Sequence, residues 1–163
     1  MISLAEFDEE IGLEGRARSD DHIDVKIWLR LLSYSRQIEN ELRRRLRAKF
    51  QTTLPRFDYL AQLERHPTGL RMNQLSRLLM VSGGNVTGLT DQLLREELIS
   101  RSDDVNDRRS YIVSLTPRGK QYFAQLAAAH ESWLSEMMSE LPISLKEALY
   151  KNLGLARRHF KAS

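Results

Sequence analysis

The 163-residue sequence contains no cysteine. A disulfide framework, a thiolate zinc site and a thiol redox switch are therefore excluded. Long apolar runs are missing as well, and none approaches the length a membrane span requires. Residues 1–21 have neither the basic leader nor the hydrophobic stretch of a signal peptide, so a cytoplasmic location is expected. The histidines, His22, His66, His130 and His159, are scattered singly, with no clustered ligand spacing. HExxH, GxSxG and a phosphate-binding glycine loop are all absent. Neither an enzyme, a resident cofactor nor a metal site is expected from such a chain.

What remains is an ordinary globular composition, 41% hydrophobic and 29% charged, in a chain long enough for one domain with a core. The net charge of +3 hides an asymmetry. Residues 1–21 carry seven acids and two arginines, which makes that arm −5 and leaves +8 on the rest. A body with this excess of arginine suits a polyanion such as nucleic acid.

Helical periodicity begins at about Asp21. Ile27, Leu31, Ile38, Leu42 and Leu46 recur at steps of three, four and seven, and Trp28 and Leu32 widen the stripe. A helix running to Phe50 would be long for a globular protein and commonly needs a second subunit to cover its stripe. Leu54-Pro55 opens a second helix, with proline at a tolerated first-turn position, and His66-Pro67-Thr68-Gly69 ends it. A short helix is predicted from about Met72 to Met80. After the turn Val81-Ser82-Gly83-Gly84, another runs to about Glu97, with Ser82 as its N-cap. The period then changes. Leu98–Arg101 and Ser110–Leu115 read as two strands of a hairpin, with the polar stretch Asp103–Arg109 as its tip. Thr116-Pro117 caps a fifth helix reaching about Leu141. Ser144-Leu145-Lys146-Glu147 has the form of a capping box for a sixth.

Two short helices joined by a tight turn resemble a helix-turn-helix. A helix entering the major groove must offer small or hydrogen-bonding groups near its N-terminus, where they meet phosphates and base edges. Ser82, Gly83, Gly84, Asn85, Thr87 and Gly88 fit that need. The hairpin adds Arg108 and Arg109 at its tip and Arg101 on the entering strand. The negative potential of a narrow minor groove favours arginine there. Asp107 is placed to brace one of these arginines through a charge-assisted hydrogen bond. The run Arg43-Arg44-Arg45-Leu46-Arg47 suits either a phosphate or a solvated helix face.

At this point the residues resemble a known family. The stretch Leu75 to Thr116 is similar to the MarR (multiple antibiotic resistance regulator) family of winged-helix regulators. Its most specific piece is Asp103-Asp104-Val105-Asn106-Asp107-Arg108-Arg109-Ser110, followed by Leu115-Thr116-Pro117-Arg118-Gly119. Val86, Thr87, Leu89, Asp91 and Leu93 fall at the recognition-helix positions. Many members have arginine at the place of Gly88 and a basic residue at Gln92, so this recognition helix is unusually poor in arginine. The resemblance implies a mainly α fold with a small β-wing: a winged helix-turn-helix plus long N- and C-terminal dimerisation helices. It divides the chain into an acidic arm (1–21), a dimerisation helix (22–50), a DNA-binding lobe (51–118) and C-terminal dimerisation helices (119–163), intertwined as one domain.

The resemblance further implies a homodimeric repressor on a pseudopalindromic operator, nucleoid-associated when bound, and released by a small effector. The stretches Thr53–Asp58 and Ser82–Gly88 look most like the branch tied to aromatic-acid and hydroxycinnamate catabolism. Its effectors are aromatic acids or aryl-CoA thioesters such as hydroxycinnamoyl-CoA. Candidate pocket residues are Trp28, Leu31, Ser35, Arg36, Phe57 and Trp133, because an aryl pocket combines apolar walls with a few polar anchors. Core or dimer packing is the simpler account of the aromatics, since an apolar stripe means burial first. A metal-responsive regulator of the same fold is the alternative, and an enzyme a more distant one.

Overall fold

The periodic stretches fold, in chain order, into α1 (Ile23–Phe50), α2 (Leu54–Arg65), β1 (Leu70–Arg71), α3 (Met72–Leu79) and α4 (Gly83–Arg95), then β2 (Ile99–Asp104), β3 (Asp107–Leu115), α5 (Pro117–Met137) and α6 (Ile143–His159). The computed structural model describes residues 22–79, 83–104 and 107–160, with the backbone alone at residues 83 and 107–109. The acidic arm and Ser82 lie outside the described residues. The chain is mainly helical with one small antiparallel sheet, ordered β1-β3-β2. A helix-turn-helix, α3 and α4, is followed by the hairpin β2-β3 and framed by the long helices α1, α5 and α6. This is the winged-helix architecture. No described helix is long and apolar enough to cross a membrane.

The stripe on α1 divides in two. Leu42 and Leu46, near its C-terminus, are buried, and this helix packs on α2 and α5. Ile27, Trp28 and Leu31, near its N-terminus, are exposed, Trp28 by 60%. The sixth helix goes further and has no buried residue at all, leaving Ile143, Leu145, Leu149 and Leu153 exposed. The core sits instead under the sheet. It gathers Leu60 and Leu63 of α2, Leu75 of α3, Val86 and Leu93 of α4, Val113 of β3 and Leu126 of α5.

Three turns fix this layout. Gln51 takes the left-handed conformation (φ 52°) and ends α1, its N–H bonded to Arg47 O and the Thr52 N–H to Leu46 O. Gly69 (φ +84°) follows α2, and a Cβ there would lie 2.5 Å from Ile112 Cγ2 and 2.7 Å from the Val113 carbonyl oxygen. Glycine is what lets β1 lie against β3. After α4, Glu97 is left-handed (φ 57°), with Glu97 N–H bonded to Leu94 O and Leu98 N–H to Leu93 O. That pair of bonds is a Schellman motif, which satisfies the orphan carbonyls at the helix end.

The corner into α5 explains the run Leu115–Gly119. Thr116 is the N-cap, accepting from Gly119 N–H at 2.9 Å and donating to Glu97 O at 2.7 Å. Pro117 follows in the first turn, where a missing N–H costs nothing. Gly119 is buried, and a Cβ on it would fall 1.8 Å from the Leu98 carbonyl oxygen.

Three expectations change. The strand β1 carries no signal of its own in the sequence, being two residues long. The sixth helix begins at Ile143 with Pro142 as N-cap, so Ser144 lies inside the first turn and caps nothing. The hairpin is longer than its polar composition suggests. Its ladder runs on to the pair Asp104↔Asp107, with an irregularity between Asp103 and Asp104, so Asp107, Arg108 and Arg109 belong to β3 and not to a loop.

Candidate nucleic-acid interface

The fourth helix has two unlike faces. Val86, Thr90 and Leu93 are buried, with Leu89 and Leu94 packed against the core. Gly84, Asn85, Thr87, Gly88, Asp91 and Gln92 are exposed. Five of the ten residues singled out from the sequence are described in full, and Gly84, Asn85, Thr87 and Gly88 share this one outer face. Arg101 is on the hairpin stem. For Gly83, Asp107, Arg108 and Arg109 only the backbone path is described, at the start of α4 and of β3.

Gly84 and Gly88 stand one helical turn apart, and a Cβ on either would meet nothing within 4 Å. The protein's own packing therefore does not require glycine at either position. A glycine in a helix interior costs up to about 1 kcal/mol relative to alanine, so Gly88 weakens α4 without an internal gain.

Several contacts hold this helix to the lobe. Tyr59 of α2 is fully buried, and its hydroxyl lies 2.7 Å from Thr90 Oγ1. Thr90 donates to the Val86 carbonyl at 2.8 Å, which leaves its oxygen to accept from Tyr59. Burial pushes the Tyr59 phenol up to about 12, with the Thr90 hydrogen bond acting the other way, so it stays a neutral donor. Arg56 grips Glu96 through both guanidinium NH2 groups, one at 2.7 Å, tying the start of α2 to the turn beyond α4. The Arg56 hydrogen bonds hold the Glu96 carboxyl below its usual range. Sequence periodicity did not single out Tyr59, because a tyrosine between apolar neighbours gives no cue that its hydroxyl crosses to another helix.

The wing is anchored from below. Arg71 Nε donates to a carboxylate oxygen of Asp104, whose side chain is 1% exposed. The Arg71 N–H meets Gln74 Oε1 at 2.8 Å, at the start of α3. The carboxylate at the hairpin end is thus a buried tie to the helix-turn-helix, 33 residues back in sequence. Composition alone had placed Asp104 in a solvated tip.

The arginine run on α1 is engaged. Arg43 pairs with Glu39 at 2.9 Å. Glu41 accepts from Arg44 and Arg45, each at 2.6 Å, and these bonds hold its carboxyl down to about 2. Arg45 also bridges to Glu136 of α5 at 2.7 Å. Three of the run's four arginines thus face carboxylates of the same chain.

The candidate pocket residues are spread out. Phe57 is in the core, its ring stacked on His130 with centroids 4.5 Å apart and near Phe123 at 5.6 Å. Burial holds the His130 ring below its ordinary pKa, which favours the neutral imidazole. Trp133 is half-buried against Phe50 at 6.2 Å. Trp28, Leu31, Ser35 and Arg36 lie on the exposed part of α1, where Ser35 donates to its own helix at Leu32 O. An open cleft lies instead between α3 and α4, lined by Met72, Asn73, Ser76, Arg77 and Thr87. Among the described residues no three His, Asp or Glu side chains come together as a metal site would require.

Comparison with known proteins agrees with the geometry. Residues 52–111 match the MarR family model. The chain is 30% identical over 110 residues to the HTH-type transcriptional regulator YfiV of Bacillus subtilis (strain 168), covering 68% of each chain. A crystal structure of a MarR family transcriptional regulator from Silicibacter pomeroyi superposes with a TM-score of 0.71 at 27% identity, over 88% of this chain and 100% of that one. Sco3205, a MarR family regulator from Streptomyces coelicolor solved in complex with DNA, shares the fold (TM-score 0.74, 17% identity, 91% and 94% covered).

Proposed function

The chain belongs to the MarR family of winged-helix transcription regulators, and from that premise we propose that it binds a pseudopalindromic operator as a homodimer, represses from it, and is released by a small aromatic effector. The family and its relatives are regulators of transcription rather than enzymes. One observation carries the DNA-binding part: α4 buries an apolar face and presents outward only small and polar groups, beside a hairpin that carries arginine. The surface to be read is that of Ser82, Gly83, Gly84, Asn85, Thr87 and Gly88. Arg101, Arg108 and Arg109 meet the backbone and minor groove, and Asp107 braces the tip.

The dimer is supported by the uncovered apolar stripes on α1 and α6, which the helices at 22–50 and 119–163 would bury between two copies. Half-sites then lie about one DNA turn, about 10 bp, apart. For the effector, an aromatic acid or an aryl-CoA thioester such as hydroxycinnamoyl-CoA, the pocket would form where exposed α1 positions (Trp28, Leu31, Ser35, Arg36) approach Phe57 of the lobe and Trp133 of α5. An effector acts by binding one arrangement of the two lobes better than the other.

Fluorescence anisotropy with DNA flanking the gene tests this. Wild type should bind tightly and Arg108→Ala about tenfold more weakly, as loss of a charged hydrogen bond implies, with both falling steeply as salt rises. Equal, weak, sequence-blind binding by the two proteins would defeat it. Titrating aromatic acids and their CoA thioesters into the complex should release the DNA with one of the two classes, and release by neither removes the effector assignment.

Gly88→Ala separates recognition from folding. Alanine should raise stability by up to about 1 kcal/mol because its methyl meets only open space. If α4 seats closely in the groove, the same methyl should weaken operator binding severalfold. A variant that melts higher and binds as well as wild type would show that the glycine face is not where DNA approaches.

A further inference from the structure

Arg101 is the third residue of β2 and pairs across the ladder with Val113, while Tyr111 pairs with Asp103. Residues two apart on a strand share a face, so Arg101 and Tyr111 are diagonal neighbours on one side of the hairpin. The Arg101 guanidinium carbon sits 4.1 Å from the centroid of the Tyr111 ring. Both side chains are exposed. Among the described residues, Arg43, Arg44, Arg45, Arg56, Arg71 and Arg118 are each held by a carboxylate. Arg101 enters no ion pair with a described residue and is seated on a ring instead.

The difference has a chemical meaning. A carboxylate neutralises a guanidinium and occupies its N–H donors. An aromatic face does neither. It attracts the cation and restricts its rotamers, while the donors, which lie in the guanidinium plane, stay free at its edge. The hairpin stem thus carries a full positive charge, already oriented, with its hydrogen-bonding edge open to a planar or tetrahedral oxyanion.

We propose that Arg101, seated on Tyr111, is a second DNA contact of the wing, a clamp for backbone phosphate, with Tyr111 as its positioning residue. The proposal rests on the DNA-binding reading above and deepens it. Strand geometry favours phosphate over a base edge. Asp104, where the described ladder ends, is three residues beyond Arg101, about 10 Å at about 3.3 Å each, so a stem arginine stands at the level of the flanking strand when the tip enters the groove. A guanidinium fork also matches two phosphate oxygens. Phosphate contacts carry no sequence information, so this clamp adds affinity and register and leaves specificity to α4 and the wing tip.

The test uses the full chain and a duplex selected by the wild-type protein from a random-sequence pool, read by anisotropy across a salt series. Arg101→Ala should weaken binding about tenfold, on the selected duplex and an unrelated one alike. Its slope of log affinity against log salt should be shallower by about one counterion. Tyr111→Phe keeps the ring and should match wild type. Tyr111→Leu keeps bulk but not the π face, and should bind about threefold more weakly with the wild-type slope, since the charge is still present. An unchanged slope for Arg101→Ala overturns the clamp, and Tyr111→Phe binding as weakly as Tyr111→Leu overturns the positioning role. Wild type that binds no duplex in a salt-dependent way overturns the DNA-binding reading itself. Wild type that binds, is weakened by Arg108→Ala and is indifferent to Arg101→Ala overturns the clamp alone.

Discussion

Replacing Leu149 and Leu153 together by glutamate should leave a chain that no longer dimerises and binds its operator at least about 100-fold more weakly. Both leucines are exposed in the single chain, at 39% and 46%, on a helix with no buried residue. The substitutions therefore remove nothing from the core of the lobe. What they remove is the use proposed for that stripe, contact with another copy. Two linked lobes convert the second half-site contact into an intramolecular one, an advantage of about 10² to 10⁴, and a monomer forfeits it. Four like charges brought together across a two-fold axis add repulsion to the lost apolar contact. Analytical ultracentrifugation gives the mass and anisotropy the affinity. A double variant that remains a dimer, or a monomer that holds the operator as tightly as wild type, would refute the arrangement. Circular dichroism shows whether the lobe is still folded, and a chain that unfolds on losing its partner would itself identify an obligate dimer.

Gly119→Ala should destabilise the fold by at least about 3 kcal/mol, the range of severe overpacking. The added methyl would sit 1.8 Å from the Leu98 carbonyl oxygen and 2.8 Å from its carbon, with Leu115 Cδ2 at 3.3 Å on another side. Two of these neighbours are backbone, so no rotamer change relieves the clash. The N-cap bond from Gly119 N–H to Thr116 would have to lengthen as α5 moves away. Leu98 also accepts from Thr116 N–H at 3.1 Å, so the sheet is disturbed with the helix. Urea titration measures the loss, and a midpoint within error of wild type would show that α5 can shift freely. Gly84→Ala is the natural control, because its methyl meets nothing.

Much of this architecture is legible in the sequence, for physical reasons. Burial every three or four residues writes α1, α2, α4 and α5 directly into the apolar pattern, and the Thr-Pro pair marks the start of α5 to the residue. The wing's extent is not legible. Residues 103–109 are polar enough to read as a loop, and only pairing with the opposite strand keeps part of them extended. The two-residue β1 follows from Gly69 and the edge of β3, not from its own composition. Ser144 shows the opposite failure, a local capping pattern overridden because Pro142 had already started the helix.

The interface is legible in part. Small residues and arginines suggest a DNA-binding surface in the sequence, and the fold places Gly84, Asn85, Thr87 and Gly88 together on the exposed face of α4. What holds the surface in place does not show. Tyr59 and Thr90 are 31 residues apart, Arg56 and Glu96 are 40 apart, and Arg71 and Asp104 are 33 apart. Each is a polar pair whose members look like ordinary surface residues until the chain is folded. The side chain of Tyr111 likewise reads as half of a strand alternation and gains a role only once Arg101 is seen above it.

The tie between Arg56 and Glu96, with that between Tyr59 and Thr90, has a mechanical consequence. One grips the turn just past α4 and the other its middle, and both lead back to α2. Among the described residues α4 is therefore tied to α2 at two points. Tilting it alone would separate a bidentate ion pair and strand a buried phenol. In the dimer proposed above, an effector acting at α1, α2 or α5 would move the whole lobe as a lever arm, and the distance between the two levers would become the variable on which occupancy of the DNA depends.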